Sequence, residues 1–365
     1  MKIKQLSLMN FRNYENLDLE FSPFLNIVYG LNGSGKTNLI EAIYLLSLTK
    51  SFRINNDKAL IKKGKIKARV KGEIQKKVAV STYEIELSEL GKTVSIDNEK
   101  KDKISDYVSR VNVVLFNPSD TRIMQEAPAE RRRLINIEIS QIYKEYLVIL
   151  NNYNRILKQR NFYIRGMYVN GNYTSSFLDI LTKKLIEYGL EIAKYREEFI
   201  ENINKYITSI YSSIAEAGVL KLKYNSSYKG KDKETLFERY QNNYQKELSV
   251  GKTLEGIHHD DIIFTLDNNS LKEWGSEGQR KNAIISFKLA LLNYVYDIKG
   301  FYPILILDDL FSELDKVKIT NMLKLLNENV QTFITTTDIK SVSKKILRKG
   351  KIFKANNGKI EEENV

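Results

Sequence analysis

The chain has 365 residues, 58 Lys plus Arg against 45 Asp plus Glu, two histidines and no cysteine, for a formal charge of +13. This length accommodates two or three structural units with sizeable cores. The absence of cysteine excludes disulfides, thiolate metal sites and thiol nucleophiles, and two adjacent histidines, His258 and His259, are a poor basis for a Ser-His-Asp triad or a multi-histidine metal centre. Composition is that of a globular chain, 42% hydrophobic and 28% charged. No apolar run approaches the roughly 18 residues of a membrane span. The opening MKIKQLSLMNFRNYENL lacks the uninterrupted apolar stretch of a signal peptide, so a cytoplasmic, membrane-free protein is expected. The positive excess predicts a polyanionic partner, nucleic acid first among them.

In chain order, residues 1 to about 120 read as strands. Ile3, Leu6 and Leu8 open the first, 17–21 forms a second and 25–29 a third. Residues 67–80 and 82–87 alternate with the period of half-buried strands, and the apolar run 111–116 reads as a strand buried on both faces. From about 128 the period becomes helical through Leu134, Ile142, Tyr146, Tyr153 and Ile156. A second helix begins near Ser176, where Asp179 completes a capping-box-like start, and stops at Gly218; a third covers 234–248. A strand at 262–266, a long helix over 276–297, an apolar strand at 303–307, a helix over 316–327 and a strand at 331–336 complete the reading. The tyrosines fall at core-like helical spacing. The expected organisation is an α/β unit built from 1–125 and 258–365, interrupted by an all-helical lobe over 126–257.

The strongest motif is Gly30-Leu-Asn32-Gly33-Ser34-Gly35-Lys36-Thr37, which follows the strand at 25–29 and opens a helix at about Asn38. Its glycines let successive N–H groups turn towards phosphates, and the helix start adds its positive dipole end. Lys36 is placed to reach the β- and γ-phosphates and Thr37 to ligate Mg²⁺. The apolar run 304–307 ends in Asp308-Asp309, which puts carboxylates at the C-terminal edge of a buried strand. Asp308 would hold Mg²⁺ and Asp309 would orient or deprotonate the attacking water, with Lys36 as its catalytic companion. ATP and Mg²⁺ are therefore the expected ligands. Ser276-Glu-Gly278-Gln279 opens the long helix and offers a second anion site from a hydroxyl, an N–H and a helix N-terminus.

In this company Ser276–Gln279 resembles the ABC signature and Ser312-Glu-Leu-Asp315 the ABC D-loop. With Leu6-x-x-x-Asn-Phe-Arg12-Asn-Tyr14, the segments 113–120, 128–133 and 256–261 also match, in order along nearly the whole chain, and the sequence is identified as resembling the RecF family of SMC-like ABC ATPases. The resemblance implies an SMC-like head with a short helical second lobe. It implies a homodimer that sandwiches two ATP molecules, each signature meeting the γ-phosphate held by the other chain. It further implies binding to double-stranded or gapped DNA, action with RecO and RecR in loading recombinase, and Arg12 and Asn38 beside the nucleotide phosphates. An ABC-transporter nucleotide-binding subunit, or another SMC-like repair ATPase, is the alternative.

Departures from the pattern qualify the chemistry. Asp309 stands where ABC proteins place a glutamate, and Thr337 stands where they place the switch histidine, which together predict slow hydrolysis. Asn117 is the candidate for the Q-loop amide. Pro and Arg of the family's G-P-H-R-D-D are Ile257 and His259 here, and the segment reads as a turn into the strand at 262. The basic runs 62–69 and 76–77 alternate with apolar residues, which predicts either charge along one sheet face or a solvated strand edge. Arg131, Arg132 and Arg133 point in different directions around a helix start, so at least one is expected to pair internally with a carboxylate.

Overall fold

The structure is a computed structural model, and it describes all residues except 171–174, 216, 310–318, 320, 321, 323, 327, 343, 364 and 365. Contacts divide the chain into two units: Met1–Thr121 with Tyr206–Gly218 and Glu277–Val365, and Arg122–Lys205 with Val219–Ser276. No described helix is long and apolar enough to cross a membrane.

The first unit opens with β1 (Lys2–Phe11), β2 (Tyr14–Glu20), β3 (Leu25–Tyr29) and α1 (Lys36–Leu48). It continues through β4 (Lys67–Lys76), β5 (Ala79–Ser88), β6 (Gly91–Ile96), β7 (Glu99–Lys100), α2 (Ile104–Tyr107) and β8 (Val113–Phe116). One antiparallel sheet has the order β2-β1-β4-β5-β6-β7. The single strand expected over 67–80 is two strands, joined through Lys77 and Val78 with Lys76 opposite Ala79. No Gly, Pro or Asn marks this turn, because Lys77 itself takes the left-handed conformation at φ +51°. Ala68, Val70 and Ile74 of β4 are buried, while Arg69 and Lys71 on its other face stand opposite Glu86 and Glu84 of β5. Lys62 and Lys65 pair with Glu15 at 3.4 and 3.0 Å. The run 62–69 is therefore neither an all-cationic face nor a strand edge: β4 is internal, and Glu86 and Glu84 of β5 together with Glu15 offset most of its charge.

The second unit holds α3 (Pro128–Ile142), α4 (Lys144–Asn170), most of α5 (Ser175–Ile214), β9 (Leu220–Asn225), α6 (Lys233–Val250), β10 (Asp261–Leu266) and β11 (Asn269–Ser270). At 40 residues α5 is about 60 Å long. Proline opens α3, and α6 is closed by Asp232, which accepts from the Thr235 N–H at 2.7 Å, and by left-handed Gly251. This unit is not all-helical. It carries a three-stranded sheet, β11-β10-β9, and because β10 pairs with β9 the unit extends to Ser276 rather than ending at 257. The pairing joins segments that neither periodicity nor proximity links in sequence.

Charges inside this unit are paired. Arg160 and Glu247, 1% and 0% exposed, meet at 2.6 Å, with Thr182, Thr253 and the Tyr240 ring completing the guanidinium's surroundings. Arg196 bonds Asp260, the Ile257 carbonyl, Asn136 and Tyr146. Arg131 forks onto Asp261 at 2.7 and 2.8 Å and Arg132 donates to the Asp260 carbonyl at 2.6 Å, whereas Arg133 makes a surface pair with Glu130. Tyr146, Tyr153, Tyr228 and Tyr240 are core residues. His258 Nδ1 lies 2.7 Å from the Tyr153 hydroxyl in the turn that leads to β10; burial, then the neighbouring His259, pushes it down to about 4.

The first unit is completed by α7 (Glu277–Lys299), β12 (Ile304–Leu307), β13 (Thr332–Thr336), β14 (Gly350–Asn356) and β15 (Lys359–Glu363). The last two strands were not read from the sequence, since lysines, asparagines and glutamates surround the few buried positions: Ile352, Phe353 and Ala355 in β14 and Ile360 in β15. Its second sheet has the order β15-β14-β3-β13-β12-β8, parallel except for β15. β12, β13 and β8 are buried on both faces. Register places Leu307 beside both Phe116 and Ile334, and Tyr29 beside Thr336. The residues that follow β3, β13, β12 and β8 consequently emerge along one sheet edge. The expected D-loop at 312–315 and much of the helix expected over 316–327 lie outside the described residues.

Candidate functional site

The turn after β3 is the phosphate-loop sequence. The Gly30 N–H donates to the Thr336 carbonyl at 3.3 Å, and a Cβ at Gly30 would sit 2.3 Å from the Ala355 carbonyl oxygen of β14. Gly35 adopts φ +119° against the β1–β2 turn, where a Cβ would sit 2.6 Å from the Tyr14 Oη. These contacts leave room only for glycine. The Tyr14 hydroxyl donates to the Gly35 carbonyl at 2.9 Å, and the Gly358 N–H to the Ser34 carbonyl at 3.2 Å. Asn38 Nδ2 donates to Asn13 Oδ1 at 2.8 Å. The loop is thus strapped from both sides. Asn32 and Gly33 lie on its exposed rim, Thr37 and Asn38 are half-buried in the first turn of α1, and the buried Ser34 hydroxyl has no hydrogen-bond partner among the described residues.

Lys36 Nζ donates to the carbonyls of Gly30 and Leu31 at 2.6 and 2.9 Å. Burial lowers its pKa, and the Asp309 and Asp308 carboxylates act in the opposite sense. No acid occupies the first turn of α1, so its N–H groups and dipole are offered to an anion without an internal competitor. A left-handed glycine loop, an unpartnered buried hydroxyl and a cation near two carboxylates fit a nucleotide phosphate chain. Thr37 and Asp308 offer the hard oxygen donors that Mg²⁺ takes.

The Asp308 carboxylate and the Asp309 backbone are held by a residue that the motifs did not single out. Thr335, on β13 and fully buried, donates its hydroxyl to Asp308 Oδ1 at 2.6 Å and accepts from the Asp309 N–H at 2.8 Å. Asp309 itself is left-handed at φ +48°. Burial raises the pKa of Asp308, and the Thr335 hydrogen bond works against that rise. The only available sequence signal was the Thr-Thr-Thr run at the end of β13, and its bearing on Asp308 depends on β12 pairing alongside β13.

Arg12, at φ +54°, is bidentate to Glu41 of α1, with Nε and Nη2 both at 2.7 Å, and its Nη1 donates to the Ala59 carbonyl at 3.0 Å. Glu41 is fully buried and also accepts from the Ser51 hydroxyl. The structure thus ties Arg12 to α1, anchoring the β1–β2 turn that straps the loop. Asn117 follows β8 and forms a local turn: its Oδ1 accepts from Ser119, and Asp120 accepts from its N–H at 3.2 Å. Thr337 is exposed after β13. Ser276 and Gly278 are exposed and Gln279 half-buried at the start of α7, and a Cβ at Gly278 would meet nothing within 4 Å.

The chain matches the RecF/RecN/SMC N-terminal domain over residues 2–361. It is 37% identical over 372 residues to the DNA replication and repair protein RecF of Ligilactobacillus salivarius, covering 100% of this chain and 98% of the relative. It is 36% identical to the protein of the same name from Listeria innocua, covering 99% and 100%. Among solved structures, the recombination mediator protein RecF of the RecFOR pathway superposes with a TM-score of 0.91 as RecF-ATPrS and 0.90 as RecF-ATP, each at 29% identity and at least 98% coverage of both chains. An Smc head bound to a winged-helix domain of ScpA shares the fold, with a TM-score of 0.57 at 17% identity. With its phosphate loop, paired carboxylates and full-length match, the chain belongs to the RecF family of SMC-like ATPases.

Proposed function

We propose that the chain is an ATP-binding and ATP-hydrolysing protein of DNA repair and replication, acting as an ATP-gated dimer on double-stranded or gapped DNA. The observation that carries this reading is the convergence on one sheet edge of the strapped glycine loop with Lys36 and of the Asp308–Asp309 pair locked by Thr335. In it, the N–H groups at 30–38 and Lys36 hold the β- and γ-phosphates, while Thr37 and Asp308 would hold Mg²⁺, which would neutralise charge on the phosphate oxygens. Asp309 orients the attacking water. Ser276, Gly278 and Gln279 at the α7 N-terminus close on the γ-phosphate of a second copy, so ATP joins two chains and hydrolysis separates them. Asp309 is one methylene shorter than the glutamate of ABC proteins and Thr337 carries no cation, which supports slow turnover, suited to resetting the dimer rather than to continuous motion. RecO and RecR are the partners that family membership supports, with recombinase loading at gaps as the outcome.

Sedimentation of the pure protein with ATP, with ADP and without nucleotide tests this reading. ATP is expected to raise the mass to that of a dimer, and Lys36→Arg and Ser276→Arg are each expected to abolish the rise. If both variants dimerise like the parent chain, the shared-site mechanism is wrong.

A further inference from the structure

One corner of the first unit crowds cations for which the nucleotide site has no use. The N-terminal amine of Met1 donates to the Tyr302 carbonyl at 2.9 Å, and Lys2 on β1 stands opposite Gln75, one residue before Lys76 on β4. Lys77, at the β4–β5 turn, brings its Nζ to the end of α7, 3.3 Å from where a Gly300 Cβ would lie, next to Lys299. The Asn112 N–H points at Met1 Sδ at 3.4 Å, which carries Arg110 to the same place. Lys76 lies over the Tyr83 ring and donates to its hydroxyl at 2.6 Å. Among the described residues Lys2, Lys76, Lys77 and Arg110 form no ion pair, and Lys77 and Arg110 are exposed. Two acids lie near: Asp97, which accepts from the Thr82 N–H at 2.7 Å and partly offsets the cations at Lys76, and Asp297, which accepts from the Tyr206 hydroxyl. Tyr296 and Tyr302 stack beside Lys299, ring centroids 4.4 Å apart.

Crowding like charges opposes folding. Lys76 is pushed down to about 8, first by burial and then by Arg110 and Lys299, and the terminal amine to about 6, by burial and then by Lys2 and Lys76. The other basic run of this unit avoids that cost, with Glu15 beside Lys62 and Lys65 and Glu86 within 4.0 Å of Lys67. Lys2, Lys76, Lys77 and Arg110, without an ion pair among the described residues and near aromatic rings, match a polyanion that arrives from solution. Because two of the four contributing segments are tight turns and the third is a helix end, the cations are held at fixed spacing, as a regular phosphate backbone requires.

We propose that the corner formed by Lys2, Lys76, Lys77, Arg110 and Lys299 is a phosphate-backbone contact for duplex DNA. The proposal rests on the DNA-binding part of the function given above. The test is DNA binding by fluorescence anisotropy on a labelled duplex, with ATP, across a salt series, for the parent chain and for the double variant Lys77→Gln/Arg110→Gln. Each lost phosphate contact flattens the slope of log affinity against log salt by about 0.9. The double variant is expected to lose about 1.8 of slope and roughly 50-fold in affinity at about 0.1 M salt. Lys62→Gln/Lys65→Gln, which removes cations already paired with Glu15, is expected to keep the parent slope. ATP binding is expected to be unchanged in both variants, and the thermal midpoint of Lys77→Gln/Arg110→Gln is expected not to fall, because the like-charge crowding is relieved. Parent chain that binds DNA while Lys77→Gln/Arg110→Gln keeps its slope overturns this site alone. No DNA binding by the parent chain overturns the DNA-binding reading itself. Polyglutamate that competes as well as DNA at equal charge makes the partner an acidic protein segment and also overturns the proposal.

Discussion

Replacing Thr335 by valine isolates what fixes the two carboxylates. Valine keeps the β-branched shape that β13 packs but removes the hydroxyl that donates to Asp308 at 2.6 Å and accepts from the Asp309 N–H at 2.8 Å. Both groups then lose a buried partner, at roughly 1–3 kcal/mol each, so the variant is expected to lose about 2–6 kcal/mol of stability. Without the Thr335 acceptor the Asp309 backbone, left-handed at φ +48°, is expected to shift, and displacement of a positioning group by about 1 Å costs about 100-fold in rate. We expect kcat for ATP hydrolysis to fall 10- to 100-fold while ATP affinity stays within about threefold, because the glycine loop and Lys36 are untouched. Since the lost hydrogen bond opposes the burial-driven rise in the pKa of Asp308, together with the Arg53 and Lys36 charges, the acid limb of the kcat–pH profile should also move to higher pH. Thr335→Ser restores the hydroxyl and should recover kcat and the acid limb. Steady-state ATPase assays over a pH series, with nucleotide binding measured separately, decide the matter. A Thr335→Val protein that folds, binds ATP and hydrolyses it at the parental rate with an unshifted acid limb would refute the reasoning.

Three further outcomes are expected. Gly35→Ala should weaken nucleotide binding and lower the thermal midpoint, because its Cβ meets the Tyr14 hydroxyl at 2.6 Å in a backbone conformation at φ +119°; adding Tyr14→Phe removes the clashing oxygen and should restore part, not all, of both losses, as calorimetry will show. For the second unit, Arg160→Met should cost about 3–5 kcal/mol by stranding Glu247, and Arg160→Met/Glu247→Leu should recover much of it in urea unfolding. His258 is held down to about 4 in the folded chain against an ordinary value near 6.5. Its contribution is complete above about pH 6.5 and is lost as pH falls towards 4, because the unfolded chain takes up the proton first. Urea midpoints measured between pH 7 and 4 should show up to about 3 kcal/mol of loss from this source, and His258→Gln should flatten the curve over that window.

The chemistry was legible because it depends on contiguous residues. A glycine loop between a strand and a helix, and an apolar strand ending in two acids, are local patterns whose geometry follows from backbone sterics and burial. The strands that needed distant partners were not legible. β9 and β14 are short and lysine-bearing and β15 is mostly glutamate, and each becomes a strand only when a distant segment or its neighbour supplies the hydrogen bonds: β10 for β9, β3 for β14 and β14 for β15. The division at Ser276 likewise depends on the β9–β10 pairing.

By itself, the sequence determined the phosphate loop, the paired carboxylates, the α/β character of the chain and the helices that follow residue 128. Only the tertiary structure decided which charges survive. It sets β5 glutamates against the β4 cations, ties Arg12 to Glu41, turns Thr335 towards Asp308, and gathers Lys2, Lys77 and Arg110 into one place. The reason is physical: a motif is a property of neighbouring residues, whereas the field at a charge is set by whatever distant segments the fold brings within a few ångströms.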